Sequence, residues 1–295
     1  MNILITGSHG FIGRHLVNQL FQQGNTIIAV DNLSTGSKDA LKNIPHHFEQ
    51  VDITDQEKLY LVFKKYQPEY VYHLAALARI QRSWDKPRET YNVNVTGTAN
   101  VLENCRQFNV AKTFITGSSS VFAGLSLNRE PEPIKFYDPL EPLNPYAWQK
   151  KLDEELVAYY RQCWNMDIKL GRPFNVFGEG QNYDSDYSTV IPKFAQYKKE
   201  GKTLPIYGDG SQMRDFTYVG DIVDMMIAVM QKDKEDWMFN LCAGQPTMIL
   251  DIAKAFGSHY ELQENPRQGE ASWTWGDNNT GIKPKVNIID WIKKI

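Results

Sequence analysis

Apolar and polar residues alternate in long-wavelength blocks along the first half of the chain. Short apolar runs at Ile3–Thr6, Thr26–Val30, Tyr70–Leu74 and Thr113–Thr116 end in Gly, Asp, Ala or Ser. Between them lie amphipathic stretches of helical period, Phe11–Gln23, Gln56–Tyr66 and Arg88–Phe108. Strands that alternate with helices predict βαβ units and a parallel sheet, with right-handed crossovers placing helices on both faces. A further helix is predicted from Asn144-Pro145 to about Cys163, because Asn caps free amides and Pro suits the first helical position. Asp167–Leu170 reads as another strand and Asp221–Gln231 as another helix. Residues 174–215 are rich in Gly, Pro, Asp, Ser and Tyr, and residues 260–285 are irregular and polar. The fold class expected is therefore α/β, a doubly wound parallel sheet with a smaller C-terminal lobe. Residues 1–172 form the sheet domain, with returns to it near 216–245, and residues 173–295 form mainly the lobe. No repeat, low-complexity tract or interdomain linker interrupts the pattern.

Composition narrows the function classes. With 295 residues, 42% apolar and 23% charged, the chain is long enough for a full core and ordinary for a globular protein. A formal net charge of −3 gives no basic excess for nucleic acid or an anionic membrane. No long uncharged apolar run predicts a membrane span, and MNILITGSHGF reads as a buried strand rather than a secretory leader. Cys105, Cys163 and Cys242 are scattered, without a C-x-x-C pair, so zinc and dithiol chemistry are disfavoured and reduced thiols in a cytoplasmic protein are expected.

Candidate chemistry begins at Gly7-x-x-Gly10-x-x-Gly13, between a strand and a helix. The first glycine permits a sharp turn, the second a close approach to phosphate, and the third tight helix-on-strand packing. The helix N-terminus then offers amides and a positive dipole end to a pyrophosphate. Asp31, at the end of the second strand, stands where a carboxylate bonds adenine ribose hydroxyls and repels a 2′-phosphate, so NAD is expected over NADP. Asp52-Ile53 closes the expected third strand and would hold the adenine edge, or Asp52 would cap the helix that follows.

Tyr146 and Lys150 are four residues apart, on one helix face. A free tyrosine has a pKa near ~10, and a neighbouring ammonium favours its phenolate, so Tyr146 is a candidate general base. A solvated helix face is the plainer reading of Y-x-x-x-K. The turn Ser118-Ser119-Ser120 follows a strand at the sheet's C-terminal edge, where such sheets bind ligands, and favours the catalytic reading.

With these residues in hand, the chain resembles the extended short-chain dehydrogenase/reductases, Rossmann-fold enzymes, and among them the nucleotide-sugar 4-epimerases. The resemblance runs over nearly the whole chain. It rests on Ile5–Gly13, Asp31–Gly36, His73–Ala76, Asn94–Thr98, Ser118–Phe122, Tyr146-x-x-x-Lys150, Arg172–Gly178, Ile206–Gly210, Arg214–Val219 and Arg267–Glu270. It implies Tyr146 as base, Lys150 on the nicotinamide ribose and Ser118 on the sugar hydroxyl, with Ser119 and Ser120 beside it. It implies a cofactor site of Gly7, Gly10, Phe11, Ile12, Gly13, Asp31, Asn32, Asp52, Ile53, Leu74, Ala75, Ala76, Asn94, Lys150 and Pro173. Asn175, Arg214 and Arg267, with Glu270 alongside, match residues that hold a nucleotide diphosphate, while Val190, Ile206 and Tyr207 match segments that sandwich uracil.

The implied reaction inverts C4 of a UDP-hexose through a 4-keto sugar, using NAD. Related 4,6-dehydratases carry an Asp-Glu pair where this chain has Ser119-Ser120, and related decarboxylases carry Glu at Ser120, so both are disfavoured. Thr274, seven residues after Arg267, matches a gatekeeper beside the sugar's C2 substituent. A small residue there implies N-acetylated sugars, UDP-N-acetylglucosamine and UDP-N-acetylgalactosamine, beside or instead of UDP-glucose and UDP-galactose. Otherwise Thr274 is incidental and Trp273 or Trp275 fills the space. Phe122-Ala123-Gly124 and Arg79 depart from the family pattern. The resemblance also implies a homodimer, formed through helices at Arg88–Phe108 and Tyr146–Cys163.

Overall fold

The computed structural model describes residues 1–183, 189–264 and 269–295. In the first half, β1 (Asn2–Thr6), α1 (Phe11–Gln22), β2 (Thr26–Val30), β3 (His47–Glu49), α2 (Gln56–Tyr66), β4 (Tyr70–His73), α3 (Ile80–Asp85), α4 (Pro87–Tyr91), α5 (Gly97–Gln107), β5 (Lys112–Thr116) and α6 (Leu125–Asn128) follow in order. Then come α7 (Pro145–Trp164), β6 (Ile168–Pro173), β7 (Asn175–Phe177), α8 (Val190–Lys199), β8 (Leu204–Tyr207), β9 (Met213–Tyr218), α9 (Val219–Val229) and β10 (Met238–Leu241). The chain ends with β11 (Pro246–Met248), α10 (Ile249–Phe256), β12 (Tyr260–Gln263), β13 (Trp273–Thr274) and α11 (Ile288–Ile292).

Seven strands form one sheet in the order β10-β6-β5-β4-β1-β2-β3, every pairing parallel. The strands are apolar on both faces because both faces are covered. Ile3 and Ile5 of β1 pack with Leu16, Val17 and Leu20 of α1 and with Ile222, Met225 and Met226 of α9. Leu4, between them, points the other way and packs with Leu59, Val62 and Phe63 of α2 and Val101 of α5. Each of these side chains is almost wholly buried, which stabilises the fold by about 1.5–3 kcal/mol apiece. The order reverses direction between β1 and β4, and that reversal leaves a crevice at the strands' C-terminal ends.

Two expectations change in detail. The third strand stops at Glu49, three residues before Asp52, because β2 offers partners only as far as Val30. The run expected as one helix from Arg88 is α4 and α5 joined by a wide i→i+5 turn at Asn92–Thr96. The helix at Asn144 forms as expected, the Asn144 side chain accepting from the amide of Ala147 at 2.9 Å.

The later residues build a second layer. β9 is flanked by β11, β13 and β7, and β12 pairs with β8. Phe177, Ile191, Phe194, Leu204, Ile206, Phe216, Ile252 and Phe256 form its separate apolar core.

Candidate active site

One cavity of about 1710 Å³ lies over the crevice and is lined from both layers. At one end is the glycine turn. Gly7 adopts φ +69°, and a Cβ there would meet the Ala75 amide nitrogen at 2.6 Å. A Cβ on Gly13 would lie 2.0 Å from the Gly7 carbonyl oxygen. Both positions are therefore closed to any side chain. Gly10 precedes α1, no side chain caps that helix, and its first turn holds no acid, so its amides and dipole face the cavity without a competing anion.

Asp31 is nearly buried on the cavity wall, accepting from the amides of His9 (2.9 Å) and Leu33 (2.7 Å). Asn32 donates to Asp52 at 2.7 Å, and Asp52 also accepts from the Thr54 amide and hydroxyl. Burial alone would raise the Asp52 carboxyl, but those hydrogen bonds outweigh it and hold the pKa below the usual value. Asp52 does not cap α2; Asp55 does. Phe11, Ile12, Ile53, Leu74, Ala75, Ala76 and Pro173 line the same wall. The close-fitting turn, the Asp31 carboxylate and the apolar walls fit a dinucleotide with an unphosphorylated adenine ribose.

Asn94 does not line the cavity but lies fully buried behind it. Its side chain accepts from the Leu77 amide at 2.8 Å and donates to the Leu77 carbonyl and to Gln149, so it fixes the backbone of the cavity wall. The wide turn at Asn92–Thr96 presents Asn92 and Val93 to the cavity and turns Asn94 inward.

Ser118, Ser119, Ser120, Tyr146 and Lys150 also stand on the cavity surface. Ser118 caps a short turn by accepting from the Ser120 amide (3.2 Å), and the two hydroxyls lie 2.8 Å apart. Capping and cavity lining thus coexist in one residue. The Tyr146 amide donates to Ser83 at 3.0 Å, fixing the start of α7. Lys150 is 2% exposed and donates to the Thr116 carbonyl (2.9 Å) and to Asp153 (3.0 Å). Burial works against its charge, and Asp153, Tyr146 and Glu154 outweigh that, leaving its pKa raised.

The second layer contributes Asn175, Val190, Tyr207, Arg214, Glu270 and Thr274. Arg214 donates to the carbonyls of Met213 and Ala271 and lies 4.0 Å from Glu270. On β8 Ile206 faces the second-layer core with Leu204, fully buried, while the alternate residues Pro205 and Tyr207 reach the cavity. Thr274 reaches the cavity, whereas Trp273 packs into a core with Val121, Phe122 and Phe174, with Trp275 against it. Arg267 lies outside the described residues. Lys193 was not anticipated, although it adjoins Val190; its ammonium lies 3.1 Å from the Tyr207 hydroxyl on the cavity wall. Asp153 carried no sequence signal, since only the fold shows an acid three residues after Lys150 to be buried against it.

A family profile described as NAD dependent epimerase/dehydratase matches residues 3–242. The chain belongs to that family. It is 31% identical over 304 residues, covering 99% of this chain and 96% of the relative, to a putative UDP-glucose 4-epimerase of Methanocaldococcus jannaschii. Among solved structures, UDP-glucose 4-epimerase of Thermotoga maritima with UDP-glucose is 28% identical with a TM-score of 0.90, covering 99% of this chain and 96% of that one. UDP-N-acetylglucosamine 4-epimerase of Methanobrevibacter ruminantium, in complex with UDP-N-acetylmuramic acid, is 28% identical with a TM-score of 0.89, covering 99% and 96%. For this epimerase/dehydratase family member NAD is the cofactor, and the glycine turn with Asp31 is the part of the cavity that suits it. Among the described residues no helix is long and apolar enough to cross a membrane.

Proposed function

We propose that the protein is a UDP-sugar 4-epimerase and that its substrates are UDP-N-acetylglucosamine and UDP-N-acetylgalactosamine, with UDP-glucose and UDP-galactose also accepted. The observation that carries this reading is the convergence of Ser118, Tyr146 and Lys150 on the cavity that holds the glycine turn. Bound NAD would supply a hydride acceptor that becomes the donor for the return step. Tyr146 takes the proton of the sugar's 4-hydroxyl and later gives it back. Ser118 bonds the same oxygen, and the Lys150 ammonium favours negative charge on the reacting oxygens.

The uridine diphosphate is held by the second layer while the keto sugar turns to present its other face. Arg214 and Asn175 serve the diphosphate, and Val190 and Tyr207 serve the uracil. On this reading residues 1–172 with β10 form the NAD half and the remainder mainly the nucleotide-sugar half. The family name also admits dehydration, which needs an acid beside the base. Ser119 and Ser120 stand there, and no acid lies between Ser118 and Phe122. Thr274, small and on the cavity wall, supports room for a C2 N-acetyl group.

The test is proton NMR of the protein with UDP-N-acetylglucosamine and with UDP-glucose. C4-inverted product is expected from both, and none once Tyr146→Phe is introduced into a protein that still binds NAD. A 4-keto-6-deoxy product, or turnover by Tyr146→Phe, would overturn the reading.

Two copies are proposed to pair through the segment of α4 and α5 and through α7, where Tyr91, Trp148, Leu152 and Tyr159 are exposed. Sedimentation should show a dimer that Trp148→Glu dissociates; a monomeric parent protein would sink the pairing.

A further inference from the structure

Lys150 is a charged group with almost no exposed surface. Its side chain is 2% exposed, and Asp153, one turn on along α7, is 0% exposed. The two are 3.0 Å apart. A buried lysine sheds its proton readily unless a counterion holds it. We infer that Asp153 is a positioning residue whose carboxylate keeps Lys150 protonated and aimed along the cavity wall at neutral and alkaline pH. This rests on the epimerase reading of Tyr146 and Lys150.

Asp153 is the acid bonded to Lys150 and the largest of the influences that favour its ammonium; Tyr146 and Glu154 add smaller ones. Thr116, on β5, offers Lys150 only a carbonyl oxygen. His73, on β4, is held neutral by burial and by the Lys150 charge, so it brings no charge of its own to Lys150. Glu154, on α7, is bound in a two-pronged pair by Arg172 of β6, at 2.7 and 2.6 Å. Thr98, on α5, lies beside the Asp153 carboxylate but gives its single hydrogen to the Asn94 carbonyl, and the second oxygen of Asp153 has no hydrogen-bond partner. An acid left with one unmet oxygen in an apolar site is costly to keep. Its one full interaction is with Lys150.

The test compares the pH dependence of kcat/KM for the NAD-loaded protein and for Asp153→Asn, which keeps shape and removes charge. The wild type should hold its activity as pH rises to about 10, the range over which a paired lysine stays charged. Asp153→Asn should show a new falling limb, its midpoint at least about two pH units below the ordinary lysine value, because the largest influence opposing burial is then gone. Lowering the pH should recover activity to within about tenfold of the wild type. Asp153→Ser, smaller and uncharged, should show the same limb.

Superimposable profiles would overturn the inference. So would a folded variant inactive at every pH, since acid must restore the ammonium. Failure of both variants to fold would overturn it too, by making Asp153 purely structural. Tyr146→Phe tests the underlying reading separately: turnover there removes the reading, while a flat Asp153→Asn profile removes only the inference.

Discussion

Gly13→Ala isolates the contact on which the cofactor end of the cavity depends. The new methyl would stand 2.0 Å from the Gly7 carbonyl oxygen and 2.9 Å from both the Gly7 carbonyl carbon and the Ser8 Cα. All three are backbone atoms, so no side-chain rotation relieves the clash. Reaching an ordinary 3.4 Å from 2.0 Å requires α1 and the turn to separate by roughly 1.4 Å. Overpacking of that kind costs about 1–3 kcal/mol of stability. The larger effect falls on NAD, since the amides at the start of α1 move relative to Gly7 by half a hydrogen-bond length. Losing one charge-assisted bond to phosphate costs about 1.5–3 kcal/mol, or roughly 10- to 150-fold in affinity.

Two controls separate space from backbone strain. Gly24 has φ +82° but nothing within 4 Å of an added methyl, so Gly24→Ala should destabilise by about 1–2 kcal/mol and leave NAD affinity unchanged. Gly10 has an ordinary extended φ, and its methyl would meet only the Gly7 oxygen, at 3.2 Å. Gly10→Ala should therefore fall between the two. Calorimetric titration with NAD and urea unfolding read both quantities. If Gly13→Ala binds NAD within about threefold of the parent protein, the helix and turn are not packed as described and the argument fails.

Thr274→Tyr should cut kcat/KM for the N-acetylated sugars by about 10- to 100-fold while sparing UDP-glucose, because a phenol at that wall occupies the space of the C2 substituent; equal loss on both sugars, measured by competition in one NMR tube, removes Thr274 from specificity. His73 is fully buried, between Thr6 at 2.7 Å and Thr98 at 3.0 Å, and burial, then the Lys150 charge, push its pKa down to about 3. Its folded value lies below its unfolded value near 6.5, so the unfolded chain takes up the proton first. Stability is complete above about pH 6.5 and falls as pH drops toward 3, with a limiting slope of about 1.4 kcal/mol per pH unit. Urea midpoints of the parent protein should show that slope between pH 6 and 4, and His73→Gln should lose it; an unchanged slope in the variant would assign the acid sensitivity elsewhere.

The sheet and the glycine turn were legible because backbone geometry restricts which residues fit. A position at φ +69° facing a neighbouring amide accepts only glycine, and strands covered on both faces accept only apolar runs, so these constraints write themselves into residue type. Side-chain direction is not written that way. Ile206 and Tyr207 are adjacent in a motif implied to bind the nucleotide, and a one-residue alternation sends only Tyr207 to the cavity. Asn94 reads as a polar residue beside the cofactor, but a wide turn points it inward, where it holds Leu77 by two hydrogen bonds.

The opposite error explains Asp153. An acid one turn after a lysine on a helix is ordinarily an exposed pair worth a few tenths of a kcal/mol. Only the packing of α7 against α5 and the end of β5 buries both groups and converts the same spacing into a buried counterion for the residue beside the base. Local spacing gives the partner of a charge. The dielectric around it, which sets what the partnership is worth, comes from residues far away in the chain.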